Sequence, residues 1–258
     1  MLRALAVIVA LGAGAAGAEE RVLPLSALRS GVTFTGATVR AMQSDDAANP
    51  GMLWVEQGAT LWTLAAGADG ASCATCHGDA RTSMRGVATR YPASDAATGT
   101  VFDLEARIED CRTRRQHAAP MPRESDELLS LTAFVAYQSR GLPLSVSIEG
   151  PARAAFERGR AFYAERHGQM NLACTQCHDQ NWGKHLLSET VSQGHGNAFP
   201  AYRLEWQSAG SLQRRIRACF FGIRAEMPQP GAVVLTDLEL YLAWRAQGLP
   251  IETPGVRR

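Results

Sequence analysis

The chain is almost without lysine. Of its 26 basic residues, Lys184 alone is not arginine. It also lacks a charge balance of one sign, with 26 basic against 25 acidic residues in 258. Nothing in that balance draws it to nucleic acid or to a lipid surface. Arginine in place of lysine favours forked contacts with carboxylates and oxyanions, although genome composition accounts for it without any appeal to function. No apolar run reaches the roughly 20 residues that cross a bilayer. The one near the start, Ala4–Ala10, follows a single charge at Arg3 and gives way to small residues ending Ala16-Gly17-Ala18. That is the layout of a cleaved secretory signal at residues 1–18, with the mature chain starting near Glu19 and no membrane span after its removal. Without Arg3, 25 basic residues face 25 acidic ones.

Six cysteines are present, at 73, 76, 111, 174, 177 and 219. An even count in an exported chain is read first as disulfides, but the context overrides that reading. Cys73-Ala74-Thr75-Cys76-His77 and Cys174-Thr175-Gln176-Cys177-His178 both have the C-x-x-C-H pattern. Two thiols at i and i+3 of a helical turn reach the two vinyl groups of one porphyrin, and the histidine that follows lies beneath the iron. Cys73, Cys76, Cys174 and Cys177 are therefore expected to hold two covalent haem c groups, with His77 and His178 as axial ligands.

The flanks repeat with the motifs. Gly58 precedes Cys73 by 15 residues, as Gly159 precedes Cys174. Around them, Val55–Trp62 and Phe156–Tyr163 place a small glycine and an aromatic residue one turn apart, the pattern of a helix crossed closely by another. Leu128–Gln138 followed by Gly141-Leu142-Pro143 parallels Leu235–Ala246 followed by Gly248-Leu249-Pro250. Each reads as a helix stopped by glycine and then proline, the second opened by a capping box from Thr236 to Glu239. The expected fold is mainly α. Two class I cytochrome c-like domains, 51–143 and 151–258, follow an N-terminal extension at 19–50 and are joined by a linker at Pro143–Pro151.

The sixth ligands are less direct. Met121-Pro122 and Met227-Pro228 have the form of ordinary methionine ligands. Yet Arg107-Ile108-Glu109-Asp110-Cys111 and Arg215-Ile216-Arg217-Ala218-Cys219 share R-I-x-x-C spacing. These two cysteines could bridge each other, lie as buried thiols, or serve as axial thiolates, one per haem. The last reading is preferred, because two unpaired thiols in an exported chain need a reason. His117, His167, His185 and His195 are rival ligands, none at matched positions in the two halves. A thiolate stabilises ferric iron and lowers the potential, which argues against a plain electron shuttle.

With these residues in view, the chain resembles SoxA, the dihaem subunit of the SoxAX cytochrome of bacterial thiosulfate oxidation. The most specific part runs from Ser192-Gln193-Gly194-His195 through Phe199–Gln207 to Ser211–Arg217 and Cys219. Some members have lost the N-terminal haem; both motifs and Cys111 are intact here, so two haems are implied. The resemblance further implies a periplasmic enzyme, an L-cysteine S-thiosulfotransferase, paired with a small monohaem cytochrome of the SoxX type. It would join thiosulfate to a cysteine of the carrier SoxY (as SoxYZ) and pass two electrons to a soluble cytochrome c. Cys219 maps onto the active cysteine, a haem ligand found as a persulfide, and Arg215 onto the substrate-binding arginine; Cys111 would be a ligand only. A dianion needs fixed positive charge, and Arg215 stands four residues before Cys219, on the same helical face. Lys184, Arg214, Arg217 and Arg245 are weaker candidates. Two rival functions stand beside this one: a thiosulfate dehydrogenase forming tetrathionate, and a dihaem electron-transfer cytochrome without sulfur chemistry.

Overall fold

The structure, a computed structural model, describes residues 23–258; the expected signal segment lies outside the described residues. The fold is mainly α, with ten α-helices among those residues. After two short 3-10 turns at Leu25–Ala27 and Gly31–Phe34 come α1 (Ala37–Ser44), α2 (Met52–Thr63), α3 (Cys73–His77) and α4 (Ala80–Ser83). A two-stranded ribbon, β1 (Ala93–Ser94) with β2 (Val101–Phe102), leads into α5 (Leu104–Arg115) and α6 (Asp126–Tyr137). The second half repeats the order with α7 (Ala152–Ala164), α8 (Cys174–His178), a small hairpin β3 (His185–Leu186) and β4 (Glu189–Thr190), then β5 (Ala201–Arg203), β6 (Ser208–Gly210), α9 (Leu212–Gly222), α10 (Val233–Arg245) and β7 (Gly255–Arg257).

Each half is built on one close helix crossing. In the first, α2 crosses α6 at Gly58, where a Cβ would stand 2.1 Å from the Ser130 carbonyl oxygen. In the second, α7 crosses α10 at Gly159, where a Cβ would stand 2.1 Å from the Asp237 carbonyl oxygen. Only glycine allows backbones to approach that far, so the two glycines fix the two crossings. Around the second lies the largest core, with Phe156, Leu235, Leu238 and Leu240 all but excluded from water. Removing such side chains from water stabilises the fold by about 1.5–3 kcal/mol each. Phe156 meets Tyr241 at 5.6 Å and Trp244 at 5.1 Å.

Two helix starts differ in character. α6 begins at Asp126 because the Ser125 side chain accepts from the Leu128 amide, with Asp126 and Glu127 favourably placed in the first turn. α10 starts at Val233, three residues before the capping box expected at Thr236. Ala232 precedes it without a side-chain cap, and both Thr236 and Glu239 are buried within the helix. That box is corrected: the helix starts earlier, with Val234 packed against the second core while Val233 is exposed, and tertiary packing outweighs the local signal.

The segment following the first half is not a loose tether. Leu144 donates to Leu249, Ile251 to Leu142, and Val146 and Ile148 are buried in the second core. Residues before α2 reach the far end of the chain. Asn49 donates to the Pro254 carbonyl, Gln43 accepts from the Val256 amide, and the Arg29 amide donates to Gln193. β7 lies parallel to β5, with Tyr202 opposite Val256 and Arg203 opposite Arg257, and β6 pairs on the other edge. The C-terminus and the 201–210 ribbon thereby form one sheet beside α9.

Candidate functional site

Both C-x-x-C-H segments fold as the single helical turns expected of them, α3 and α8. Ser72 caps the first by accepting from the Thr75 amide, with Thr75 returning the bond to the Ser72 amide. Gln176 reaches back to the Ala173 amide in the second. The four thiols at i and i+3 are thus presented from one face of each turn. None of the six cysteines is bridged.

The geometry around α8 fits a haem c. The His178 Nδ1–H donates to the Ser192 carbonyl at 2.7 Å, which fixes the ring and leaves Nε2 available to ligate a metal. Gly194, at φ +77°, lies flat against the same ring; a Cβ there would be 2.9 Å from its Cγ. The sulfur of Cys219 comes to this group from α9. Burial raises the Cys174 and Cys177 thiols, and in both the negative charge of Cys219 raises them further. The two thiols of α8, an oriented imidazole and a thiol from another helix therefore converge on one place, a donor set that fits a covalent haem c.

Arg215 Nη1 donates to Cys219 Sγ at 3.0 Å, a contact between successive turns of α9. Burial pushes the Cys219 thiol up, but Arg215, then the imidazole of His178, then Arg203 outweigh it, and the thiol falls to about 7. A thiolate is the form that ligates metal and attacks sulfur.

The first half carries the same residues in a different state. Cys111 lies near Cys73 and Cys76, and burial raises its thiol; Arg107 opposes the rise and Asp110 reinforces it. Arg107 stands where Arg215 stands, yet its guanidinium is held by Asp95 at 2.8 Å and Asp110 at 3.2 Å and lies over the Phe102 ring. In α9 the residue matching Asp110 is Ala218, and among the described residues Arg215 has no carboxylate partner. The two halves thus share the C-x-x-C-H and R-I-x-x-C residues and differ in whether the arginine is free to face sulfur.

The rival ligands have places of their own. Met121 packs with Leu128 and Leu131, and Met227 is exposed. His117 bonds Asp69 at 2.8 Å on the surface, and His167 bonds the Phe162 carbonyl at 3.1 Å. His185 lies in the exposed hairpin near Thr190, and His195 meets Gln193 at 3.1 Å. Among the weaker arginines, Arg245 is buried against Asp179 at 2.6 Å and over Tyr163, a structural position. Arg214 lies over Trp206 and bonds Ser208, and Lys184 bonds Asn181 at 2.8 Å. Arg217 is half-buried with its Nε unpartnered and carries no further sign of a role. Arg203, whose charge reaches Cys219, was not singled out by the sequence; its only signal was membership of the specific 199–207 stretch.

The chain is similar to known proteins in both sequence and fold. Residues 57–144 match the family model described as SoxA/TsdA, cytochrome c domain. The L-cysteine S-thiosulfotransferase subunit SoxA of Pseudaminobacter salicylatoxidans is 40% identical over 89% of this chain and 80% of its own length. The protein of the same name from Paracoccus pantotrophus is 35% identical over 88% and 78%. The crystal structure of SoxXA from P. pantotrophus superposes with a TM-score of 0.86, at 35% identity, over 89% of this chain and 86% of that one.

Proposed function

The chain belongs to the SoxA family, and from that membership and the site we propose that it is the haem-bearing subunit of an L-cysteine S-thiosulfotransferase, which joins thiosulfate oxidatively to a cysteine of a carrier protein. The observation that carries this reading is the thiolate-forming Cys219 with Arg215 at 3.0 Å and the imidazole of His178 beside it. The substrate is thiosulfate, the carrier is of the SoxY type (as SoxYZ), and the compartment is the periplasm.

The residues have distinct tasks. Cys73, Cys76, Cys174 and Cys177 would hold two haem c groups, with His77 and Cys111 as ligands to the first iron and His178 and Cys219 as ligands to the second. Bound haem supplies a one-electron acceptor beside the sulfur. Ser192 orients His178. Arg215 holds Cys219 as thiolate and offers positive charge to the incoming dianion. The Cys219 thiolate carries the sulfur: it is joined to the sulfane sulfur of thiosulfate with loss of two electrons, giving a Cys219 S-thiosulfonate. The carrier thiolate then attacks that same sulfane sulfur by thiol–disulfide-type exchange and releases the Cys219 thiolate. The net reaction balances: a carrier thiol and thiosulfate become a carrier S-thiosulfonate, one proton and two electrons, the electrons leaving to a monohaem SoxX-type partner and a soluble cytochrome c.

The test is direct. The haem-loaded complex, given thiosulfate, reduced carrier and oxidised cytochrome c, is expected to add one thiosulfate mass to the carrier cysteine and to reduce two equivalents of cytochrome. Tetrathionate with an unmodified carrier would identify a dehydrogenase instead. Cytochrome reduction with no dependence on Cys219 would identify a plain electron carrier.

A further inference from the structure

Gln193 is wholly buried, and both polar atoms of its side chain are spent on the N-terminal extension. Its Oε1 accepts from the Arg29 amide at 2.8 Å, and its Nε2 donates to the Ala27 carbonyl at 3.0 Å. One side chain thus closes a donor and an acceptor of a segment that belongs to no sheet. Gln193 is itself held from two further sides. His195 Nε2 lies 3.1 Å from the same Oε1, and Arg245 of α10 reaches the Gln193 carbonyl at 3.4 Å.

The neighbours of Gln193 on either side are the two residues that hold His178. The Ser192 carbonyl accepts from its Nδ1 at 2.7 Å, and Gly194, at φ +77°, lies against the ring. A shift of this short loop therefore moves both the hydrogen bond and the wall against which the imidazole packs. The extension touches the same region again. The Phe34 ring meets Trp182 edge-on at 6.2 Å, four residues beyond His178. Between these contacts Ser30 receives Asn197 at 3.3 Å and donates to Glu252 at 2.6 Å, which anchors the segment. In the first half the His77 ring is exposed and lies 5.8 Å from the Trp62 ring of α2.

We propose that residues 27–29 of the N-terminal extension position His178 as a metal ligand, acting through Gln193 on the Ser192–Gly194 loop. This rests on the haem reading above and gives the extension a task at the second haem. A carbonyl held against Nδ1–H makes the opposite ring nitrogen a stronger donor, which favours ferric iron and lowers its potential. With Gln193 released from the extension, the Ser192 carbonyl withdraws and the potential rises. Gln193 and Arg29 are positioning residues, and both act through His178.

The test is a redox titration of the haem-loaded complex, followed by absorbance and electron paramagnetic resonance, in Arg29→Pro, Arg29→Ala and Gln193→Leu. Arg29→Pro removes the amide from which Gln193 accepts, and Leu28 before it is already extended, the conformation favoured ahead of proline. Arg29→Ala keeps that amide and changes only an exposed side chain. Arg29→Pro and Gln193→Leu are expected to raise the potential of the second haem and alter its resonance signal. At a fixed poise its ferric-to-ferrous ratio should fall about tenfold, about 59 mV for one electron. The first haem, and both haems in Arg29→Ala, should stay at wild-type values. Arg29→Pro decides the matter if Gln193→Leu does not fold. An unchanged second-haem potential and signal in Arg29→Pro, whatever its melting temperature, would overturn the inference and leave the contact as packing alone. Equal shifts of the two haems, or an equal shift in Arg29→Ala, would overturn it as well. Wild-type protein whose Cys174–Cys177 peptide carries no haem by mass spectrometry would overturn the haem reading and this inference with it.

Discussion

Arg215 and Cys219 are joined by an N–H to sulfur contact of 3.0 Å along one face of α9, while Arg107, at the same offset before Cys111, turns away to Asp95 and Asp110. The two halves descend from one pattern, and this pair of arginines separates them. A guanidinium with acidic partners is a structural clamp; one facing sulfur tunes it.

Arg215→Ala is therefore expected to lower carrier modification by about 10- to 100-fold, the worth of one charge-assisted hydrogen bond. The haem absorption spectrum should hardly move. Steady-state turnover and the spectrum of the same sample check this together; equal damage to both would return Arg215 to a structural role.

The clamp can be transferred. Ala218→Asp places in α9 the carboxylate that Asp110 supplies in α5, and is expected to draw Arg215 from Cys219 and lower turnover at least tenfold with both haems retained. The residue before Cys219 is exposed, so the new side chain costs little packing. Turnover measured beside haem content decides it. Wild-type activity in this variant would mean that the free state of Arg215 does not matter.

The two thiolates should answer differently to substitution. Cys219→Met is expected to keep haem and abolish carrier modification, whereas Cys111→Met should retain modification with only the first haem altered. Mass spectrometry of the carrier after turnover distinguishes them.

Much of this site was legible in the sequence because its signals are local. The C-x-x-C-H turns, the R-I-x-x-C offsets and the helices through Gly58 and Gly159 depend on spacings of a few residues, and all are present as α3, α8, α5, α9, α2 and α7. What was not legible depends on contacts between distant segments. Asp95 meets Arg107 from a turn outside its helix. Arg203 reaches the site only because β5 pairs with β6 and β7 beside α9. That residues 19–50 form a wrapping extension is an expectation of the sequence, but the partners of residues 29–49 at 193 and 252–257 leave no periodic trace. The start of α10 was misplaced because a plausible capping box lay inside a helix whose true start has no side-chain cap.

A buried acidic group between the halves gives a pH dependence. Arg123 bonds Asp103 and Glu105, each at 2.9 Å; Gln213 bonds Asp103 from α9, and Glu239 lies close by on α10. Burial, then Asp103, raises Glu105 to about 8 against the opposing Arg123, and burial raises Glu239 as well. A raised carboxyl favours the folded state fully below its unfolded value, near 4.5, and that contribution is lost as pH rises toward 8. Chemical unfolding between pH 5 and pH 8 should show stability falling by at most about 1.4 kcal/mol per pH unit from this group. Glu105→Gln should flatten the slope; an unchanged slope would locate the proton elsewhere.

The helix crossing makes a stability prediction. Gly159→Ala sets a Cβ against the Asp237 carbonyl at 2.1 Å and should cost about 3 kcal/mol, near the upper end for overpacking. Gly36→Ala, with open space around it, should be nearly neutral. Thermal melts of the two variants give the comparison.

Electron paramagnetic resonance of the oxidised, haem-loaded protein tests most directly the central claim, that Cys219 sulfur ligates the second iron. The account predicts low-spin ferric signals of histidine–thiolate ligation from two haems, one of which changes in Cys219→Met while the other persists. A wild-type spectrum with methionine or bis-histidine character at the second haem, unaltered by Cys219→Met, would contradict it.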